Sequence, residues 1–329
     1  MLDVTVLLLS NNYVSTSFGP IEVFHAAGFL WNAIHGAETD QHFRVTVASL
    51  DGKSITSPYG VELSPQTSIE EVDSTDIVVV PSSGMDIDEQ LVRHAALMPW
   101  LRERQEQGAY VASVCSGAVF LAEAGLLDGR RATTHWAVAD ELARRYPRVD
   151  WRADMFITED NGVLCSAGVC ASIDLGVYLV EKFCGHDVAL QCAKSLLVDM
   201  PRSHQSGYAV LPLSRQHDDE KVRAIEAYID ENYARNLTVE ALASRANMST
   251  RNFIRRFKAA TGRLPGNYLQ SRRVAVAKEM LELGGRSVQT ITHAVGYGDA
   301  ASFRSLFKRY TGMSPAEYRR RFGRRNEAA

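Results

Sequence analysis

Cys115 lies in the stretch Ser113-Val114-Cys115-Ser116-Gly117, where an apolar, strand-like run gives way to a helical one. A residue on so sharp a turn sits at a helix N-terminus, whose partial positive charge favours a thiolate, and small neighbours make room for the turn. The same geometry presents the nucleophile of many hydrolases. Nucleophile, ligand contact and redox sensor are therefore all open to this thiol. A buried, inert thiol is the remaining reading, and the preferred one for Cys165, Cys170, Cys184 and Cys192.

A second chemistry-bearing stretch runs from Asn236 to Tyr268. Phe253 and Phe257 stand at i, i+4 and share one helix face, which must be buried. At about 100° per residue, Arg251, Arg255 and Lys258 fall on the opposite face. Phe253, Phe257, Lys258, Thr261, Gly262, Pro265 and Tyr268 return fifty residues later as Phe303, Phe307, Lys308, Thr311, Gly312, Pro315 and Tyr318. There the outward face holds Ser302, Ser305 and Lys308, with Arg304 and Arg309 at its flanks. Val239, Leu242 and Ala243 before the first Phe pair, and Val288, Ile291 and Val295 before the second, each predict a short helix ending in a tight turn. Helix, turn, helix, twice over, with Arg, Lys and Ser outward, suits the DNA major groove, where Arg pairs with guanine. A solvated basic face is the plain alternative for one such helix, and the duplication argues against it.

The elements that must position these residues fall into two sets. Strand-like runs at 4–9, 43–50, 77–80 and 110–114 alternate with helical stretches near 21–34, 88–107 and 118–124, which predicts a parallel sheet flanked by helices. Asn161-Gly162 predicts an added hairpin, and 173–183 and 188–200 close the domain as helices. Ligands in such sheets bind at the carboxyl ends of strands, where Ser82-Ser83-Gly84, Cys115, Ser116 and Ser166-Ala167-Gly168 would lie. The polar stretch 201–219 reads as a linker. Beyond it, Val222, Ile225, Ile229 and Tyr233 mark the first helix of an all-α domain. Residues 267–283 predict a joining helix of roughly 17 residues, about 25 Å long, compatible with recognition helices about one DNA turn apart. The run Arg319, Arg320, Arg321, Arg324, Arg325 suits phosphate or a solvated tail equally.

Composition agrees with two domains in 329 residues, 46% of them hydrophobic. The net charge of -3 hides an asymmetry: residues 220–329 hold 21 Lys/Arg against 10 Asp/Glu, and residues 1–219 hold 15 against 29. The basic part should meet phosphate. The apolar start, 1–9, is too short for a membrane span and lacks signal-peptide features, so a cytoplasmic location and no membrane partner are expected. Five cysteines without CxxC or zinc spacing are expected as free thiols, with no metal or cofactor.

On the motifs Gly296-Tyr297, Ser302-Phe303, Phe307-Lys308, Thr311-Gly312, Ser314-Pro315 and Tyr318, residues 220–322 resemble the AraC/XylS family of transcriptional regulators. Residues 1 to about 200 resemble the ThiJ/PfpI family of the glutamine-amidotransferase-like fold. That resemblance implies a flavodoxin-like parallel sheet, with Cys115 at the nucleophile elbow and His135 of Thr133-Thr134-His135 approaching it. Gly19-Pro20, Glu22-Val23-Phe24 and residues 124–130 are similar to the GlxA branch, in which this domain is fused to an AraC-type tail. Two departures separate the chain from catalytic relatives: Thr16 stands where they carry an acidic residue, and Ser116 where hydrolytic relatives carry histidine. A cysteine hydrolase needs a base within reach of its sulfur, and only His135 remains. The resemblance thus implies a non-enzymatic bacterial regulator binding operator DNA. Its expected effector, an amine or amino-acid-like metabolite, would bind at Thr16, Ser83, Gly84, Cys115, Ser116 and His135. Arg251, Arg255, Lys258, Ser302, Arg304, Ser305 and Lys308 are the expected DNA contacts, and a homodimer and RNA polymerase complete the expected partners. A cysteine-dependent amidase or a thiol redox sensor fused to a DNA-binding domain stands as the alternative.

Overall fold

A computed structural model of the chain describes residues 1–84, 86–209 and 217–324. It divides into two compact units, Met1–Gln205 and Ser206–Ala329.

In the first unit, β1 (Leu2–Leu7), β2 (Phe43–Ser49), β3 (Thr67–Ser68), β4 (Ile77–Val80), β5 (Tyr110–Val114), β6 (Ile157–Asp160) and β7 (Val163–Ser166) form one sheet. Their order is β6-β7-β5-β4-β1-β2-β3. Every pairing is parallel except β6 with β7. Asn161 and Gly162, with φ of 48° and 76°, close that hairpin, because a two-residue turn matching the sheet twist needs positive φ at both positions. All four side chains of β4 are buried. Ile77 and Val79 join Val4, Val6 and Leu164 in one core, while Val78 and Val80 join Leu7 and Val111 in the other, as a sheet covered on both faces requires. Strand order reverses between β1 and β4, so the crevice at their carboxyl ends is the natural ligand position.

Two predicted helices are each divided. The stretch expected as a helix near 21–34 is Ser15–Ala26 and Leu30–Ile34, with Gly28 at φ 74° between them. The stretch 88–107 is Ile87–Arg93 and Leu97–Glu106. Here His94 turns inward, 1% exposed, with Nδ1 2.9 Å from the Gln90 carbonyl and Nε2 accepting the Ser10 N–H at 3.1 Å.

Part of the expected linker is built into the units. Asp174 accepts from the backbone and guanidinium of Arg202, and Gln205 hydrogen-bonds back into the first unit. Residues 210–216 lie outside the described residues, as does Arg325.

The second unit contains the helices Glu220–Asn232, Val239–Arg245, Thr250–Thr261, Pro265–Leu283, Val288–Ala294, Ala300–Thr311 and Pro315–Phe322. The joining helix is 19 residues long, starting two residues earlier than the sequence suggests because Pro265 occupies its first turn, where a missing N–H costs nothing. Two cores form, one per repeat: Phe253, Phe257 and Tyr268 with Leu242, and Phe303, Phe307 and Tyr318 with Ile291. Tyr233 packs against both. Among the described residues no helix is long and apolar enough to cross a membrane.

Candidate functional site

Cys115 follows β5 directly and opens a single 3-10 turn, Cys115–Gly117, that leads into the helix Ala118–Glu123. Its φ is 58°, a left-handed conformation that is costly for a residue with a side chain and marks a strained turn. Gly117 makes the turn possible, since a Cβ there would stand 2.5 Å from the Pro81 carbonyl oxygen.

The thiol is 7% exposed, and burial pushes its pKa up. Hydrogen bonds from Ser82 and the Ser116 backbone oppose the rise without reversing it. Burial thus works against the thiolate that a helix N-terminus was expected to favour, and the helix that follows has only 6 residues. The resting thiol is protonated.

The structure places the other expected ligand residues around this turn in unequal roles. Ser116 Oγ lies 2.7 Å from Ser82 Oγ. Thr16 is fully buried, donates to the Tyr13 carbonyl at 2.6 Å and accepts the Ser82 N–H at 3.2 Å. Its hydroxyl therefore braces the Ser82 backbone. Ser83 Oγ donates to the Ser10 carbonyl and lies 2.8 Å from Gln90 Oε1, so this hydroxyl holds a loop. Gly84 has φ 54°, and a Cβ there would meet the Gln90 side chain at 2.6 Å.

His135 is half-buried, and burial lowers its pKa. Its Nδ1 accepts the Ala137 N–H at 3.1 Å, and its ring leans on Trp136 at 5.1 Å. Among the described residues, the hydrogen bond that ties this loop to the cysteine is not from His135: Thr134 Oγ1 donates to the Cys115 carbonyl at 2.9 Å. Sequence reasoning missed Gln205, whose carboxamide reaches both sides of His135 at Thr134 O (2.8 Å) and Trp136 N (3.2 Å).

In the second unit the two helix pairs agree down to side-chain geometry. Helices Thr250–Thr261 and Ala300–Thr311 are both 12 residues long and end at a left-handed glycine, Gly262 or Gly312. Thr261 and Thr311 each donate back to a Phe carbonyl at 2.8 Å. Phe257 meets Tyr268 edge-on at 5.4 Å and 84°, and Phe307 meets Tyr318 at 5.4 Å and 83°. The turns differ by one residue: Asn247, at φ 54°, corresponds to Gly296, at φ 82°, an offset of 49 where the following Phe pairs are offset by 50.

Arg251, Arg255, Lys258, Ser302, Arg304, Ser305 and Lys308 are all exposed. Arg255 donates to Asn252, a further exposed polar side chain on the same helix. Arg256 is instead committed to Asp219, and Arg309 to Gln270. Ser302 is partly engaged as well, because its backbone N–H, then its hydroxyl, then the Ala301 N–H hold the Asp299 carboxylate below the usual range.

Residues 5–182 match the DJ-1/PfpI family, and residues 242–321 match a helix-turn-helix domain. The HTH-type transcriptional regulator CdhR of Pseudomonas aeruginosa is 27% identical over 84% of this chain and 82% of its own length. The HTH-type transcriptional regulator GlxA of Rhizobium meliloti is 26% identical over 85% and 86%. Isonitrile hydratase of Pseudomonas putida is 34% identical over 41% of this chain and 57% of its own length. An AraC family transcriptional regulator from Pseudomonas putida, known by its crystal structure, shares the fold with a TM-score of 0.51 at 23% identity, over 60% of this chain and all of that one. The order of the halves expected from the GlxA resemblance is the order found, and the chain belongs to the DJ-1/PfpI family, with an AraC-type helix-turn-helix domain following the family's fold.

Proposed function

We propose that this chain is a sequence-specific transcriptional regulator that reads two successive major grooves with the helices Thr250–Thr261 and Ala300–Thr311, under control of a small effector bound beside Cys115. The observation that carries this reading is the duplicated helix pair, each copy locked by a buried Phe pair and presenting exposed Arg, Lys and Ser. Relatives named as HTH-type regulators across most of the chain support it. The effector class is the amine or amino-acid-like metabolite implied by the family resemblance. A homodimer, contact with RNA polymerase and action in the cytoplasm belong to the same reading.

The chain binds this effector without turning it over. Nucleophilic catalysis needs a thiolate and a base bonded to it; here the thiol is kept protonated, Thr16 spends its hydroxyl on backbone, and Nδ1 of His135 is occupied by Ala137. The same protonated thiol disfavours the redox-sensor alternative, which requires a lowered pKa.

The test is a mobility-shift titration against duplexes selected from a random library. Alanine at Arg251, Arg255, Arg304 and Lys308 together should weaken binding by about 1 to 3 kcal/mol for each arginine that reads a guanine, and reduce the salt slope by about 1 for each lost phosphate contact. Unchanged affinity in the quadruple variant would show that the assigned faces do not meet DNA. A nitrogenous metabolite found by thermal shift, then recovered chemically altered by wild type but unaltered by Cys115→Ser, would convert the sensor into an enzyme.

A further inference from the structure

Phe253 and Phe257 bury one stripe of the helix Thr250–Thr261, and a helix held along one stripe can still roll about it. Arg256 stands roughly 80° round the helix from the midline of that Phe pair, whereas Arg255 lies roughly opposite it. The guanidinium of Arg256 forks onto the Asp219 carboxylate: Nε donates to Oδ2, and a terminal N–H donates to Oδ1 at 3.0 Å. Asp219 is the N-cap of the helix Glu220–Asn232, where Oδ1 also accepts the Val222 N–H at 3.1 Å. The cap itself is fixed from behind. Its backbone N–H donates to His217 Nδ1 at 3.2 Å, and the other ring nitrogen, which therefore carries the proton, donates to Glu226 of the same helix at 2.9 Å. Val222, Ile225 and Ile229 of that helix share a core with the Phe pair. The fork thus adds a second line of attachment, off the Phe stripe, between two helices already packed together.

The second repeat does not copy this device. Fifty residues on, Leu306 stands in the place of Arg256, buried in the second core. The helix Ala300–Thr311 is tied instead to the joining helix: Arg309 donates to Gln270 Oε1 at 3.0 Å, and the Tyr310 hydroxyl donates to the same oxygen at 3.1 Å. In the first repeat Ala259 and Ala260 occupy those positions and can make neither bond. The two recognition-type helices are thus tied laterally by different chemistry, an ion pair in the first copy and a neutral carboxamide in the second. The ion pair also occupies a cation on the flank of a helix whose other arginines are exposed, and Arg256 in turn holds the Asp219 carboxyl below the usual range.

We propose that Asp219 is a positioning residue for base reading by the first helix pair: through Arg256 it fixes the roll of the helix Thr250–Thr261, and it keeps that guanidinium off the DNA phosphates. This rests on the regulatory reading above. Base discrimination by arginine needs its hydrogen bonds aimed at one base edge, whereas attraction to phosphate needs only charge. Loss of the carboxylate therefore acts on the two in opposite directions. Selective binding weakens as the helix rolls, and non-selective binding strengthens as Arg256 becomes available to phosphate. A residue that merely held the unit together would weaken both. The effect is confined to the half of the site read by the first helix pair, because the second helix is tied through Gln270.

The experiment compares full-length wild type, Asp219→Asn and Arg256→Met, each by selection from a random duplex library and by salt titration against mixed-sequence duplex. Asparagine is as good an N-cap as aspartate, so Asp219→Asn removes the charge and the fork while keeping the helix start. Circular dichroism confirms that each variant is folded, and Arg256→Met carries the test if Asp219→Asn does not fold. In both variants the half of the enriched motif that Arg255→Ala also blurs should lose its base preference, with the other half intact. The ratio of selected to mixed-sequence affinity should fall by at least about tenfold. On mixed sequence, Asp219→Asn should bind more tightly with a salt slope steeper by about 1, and Arg256→Met should keep the wild-type slope. A motif unchanged in the folded variants, or mixed-sequence binding weakened in Asp219→Asn, overturns the inference. So does a slope reduced by about 1 in Arg256→Met, which would make Arg256 a phosphate contact in the wild type. A wild type that enriches no motif at all is a separate result, which refutes the regulatory reading. Hydrogen exchange of residues 250–258 without DNA then decides the clamp: it stands if exchange is at least about threefold faster in Asp219→Asn, and falls if the rates are equal.

Discussion

Cys115 joins a left-handed backbone to an enclosed, protonated thiol, and the two properties have different origins. The backbone conformation costs of order 1 to 3 kcal/mol and persists because β5, Gly117 and the Thr134 bond over-determine it. The thiol is protonated because water is excluded. Iodoacetamide at pH 7.5 should therefore modify exposed Cys170 well before Cys115, with parity restored in urea; mass spectrometry showing Cys115 labelled first would contradict the protonated state. Because its folded pKa is raised, this thiol's contribution to stability is full below the unfolded value, about 8.5, and is lost as pH rises through the folded pKa. Cys165 and Cys192, each pushed up to about 11 by burial, act with the same sign. The melting temperature of the first unit should fall above about pH 8.5, and Cys115→Ser should remove only part of the slope. At this scale the elbow was legible, since small residues at a strand-to-helix junction leave few other conformations. The relation of His135 to Cys115 was not, because it depends on how two loops twenty residues apart pack. Gln205 was invisible for the opposite reason: a glutamine among Ser, His and Gly reads as solvent-facing, and its partners lie far upstream.

At the scale of elements, the repeat was the most legible feature, because identical spacing of Phe, Thr, Gly, Pro and Tyr fixes a helix, its cap and the next helix together. What spacing could not reveal is that the helices near 21–34 and 88–107 divide, since apolar periodicity continues across both points while Gly28 turns left-handed and His94 turns in to accept the distant Ser10 N–H. The Phe pairs give a test of packing against contact. Phe257→Ala and Phe307→Ala should each cost about 3 to 5 kcal/mol through the cavity left behind, lowering the melting temperature of the second unit together with DNA affinity. As the two residues lie in separate cores that share Tyr233 at their margins, the double variant should lose nearly the sum of the single losses. DNA binding lost at an unchanged melting temperature would mean that these rings act at the DNA surface instead.

On the scale of the whole molecule, a near-neutral chain is assembled from a basic unit and an acidic one, each with its own cores. Separate cores predict two transitions in differential scanning calorimetry, and ligands that bind only the native state should move them selectively. Selected duplex DNA at 100 times its dissociation constant should stabilise the second unit by about 2.7 kcal/mol. If the units were linked only by a slack chain, the first transition would not respond to DNA. Control of DNA binding by an effector requires the two units to be coupled, and coupling is reciprocal, so part of the stabilisation should appear in the first transition as well. A first transition that ignores DNA in the wild type would leave two units joined in sequence and uncoupled in energy, and the effector would then have to act by another route, such as the contact between subunits in a dimer.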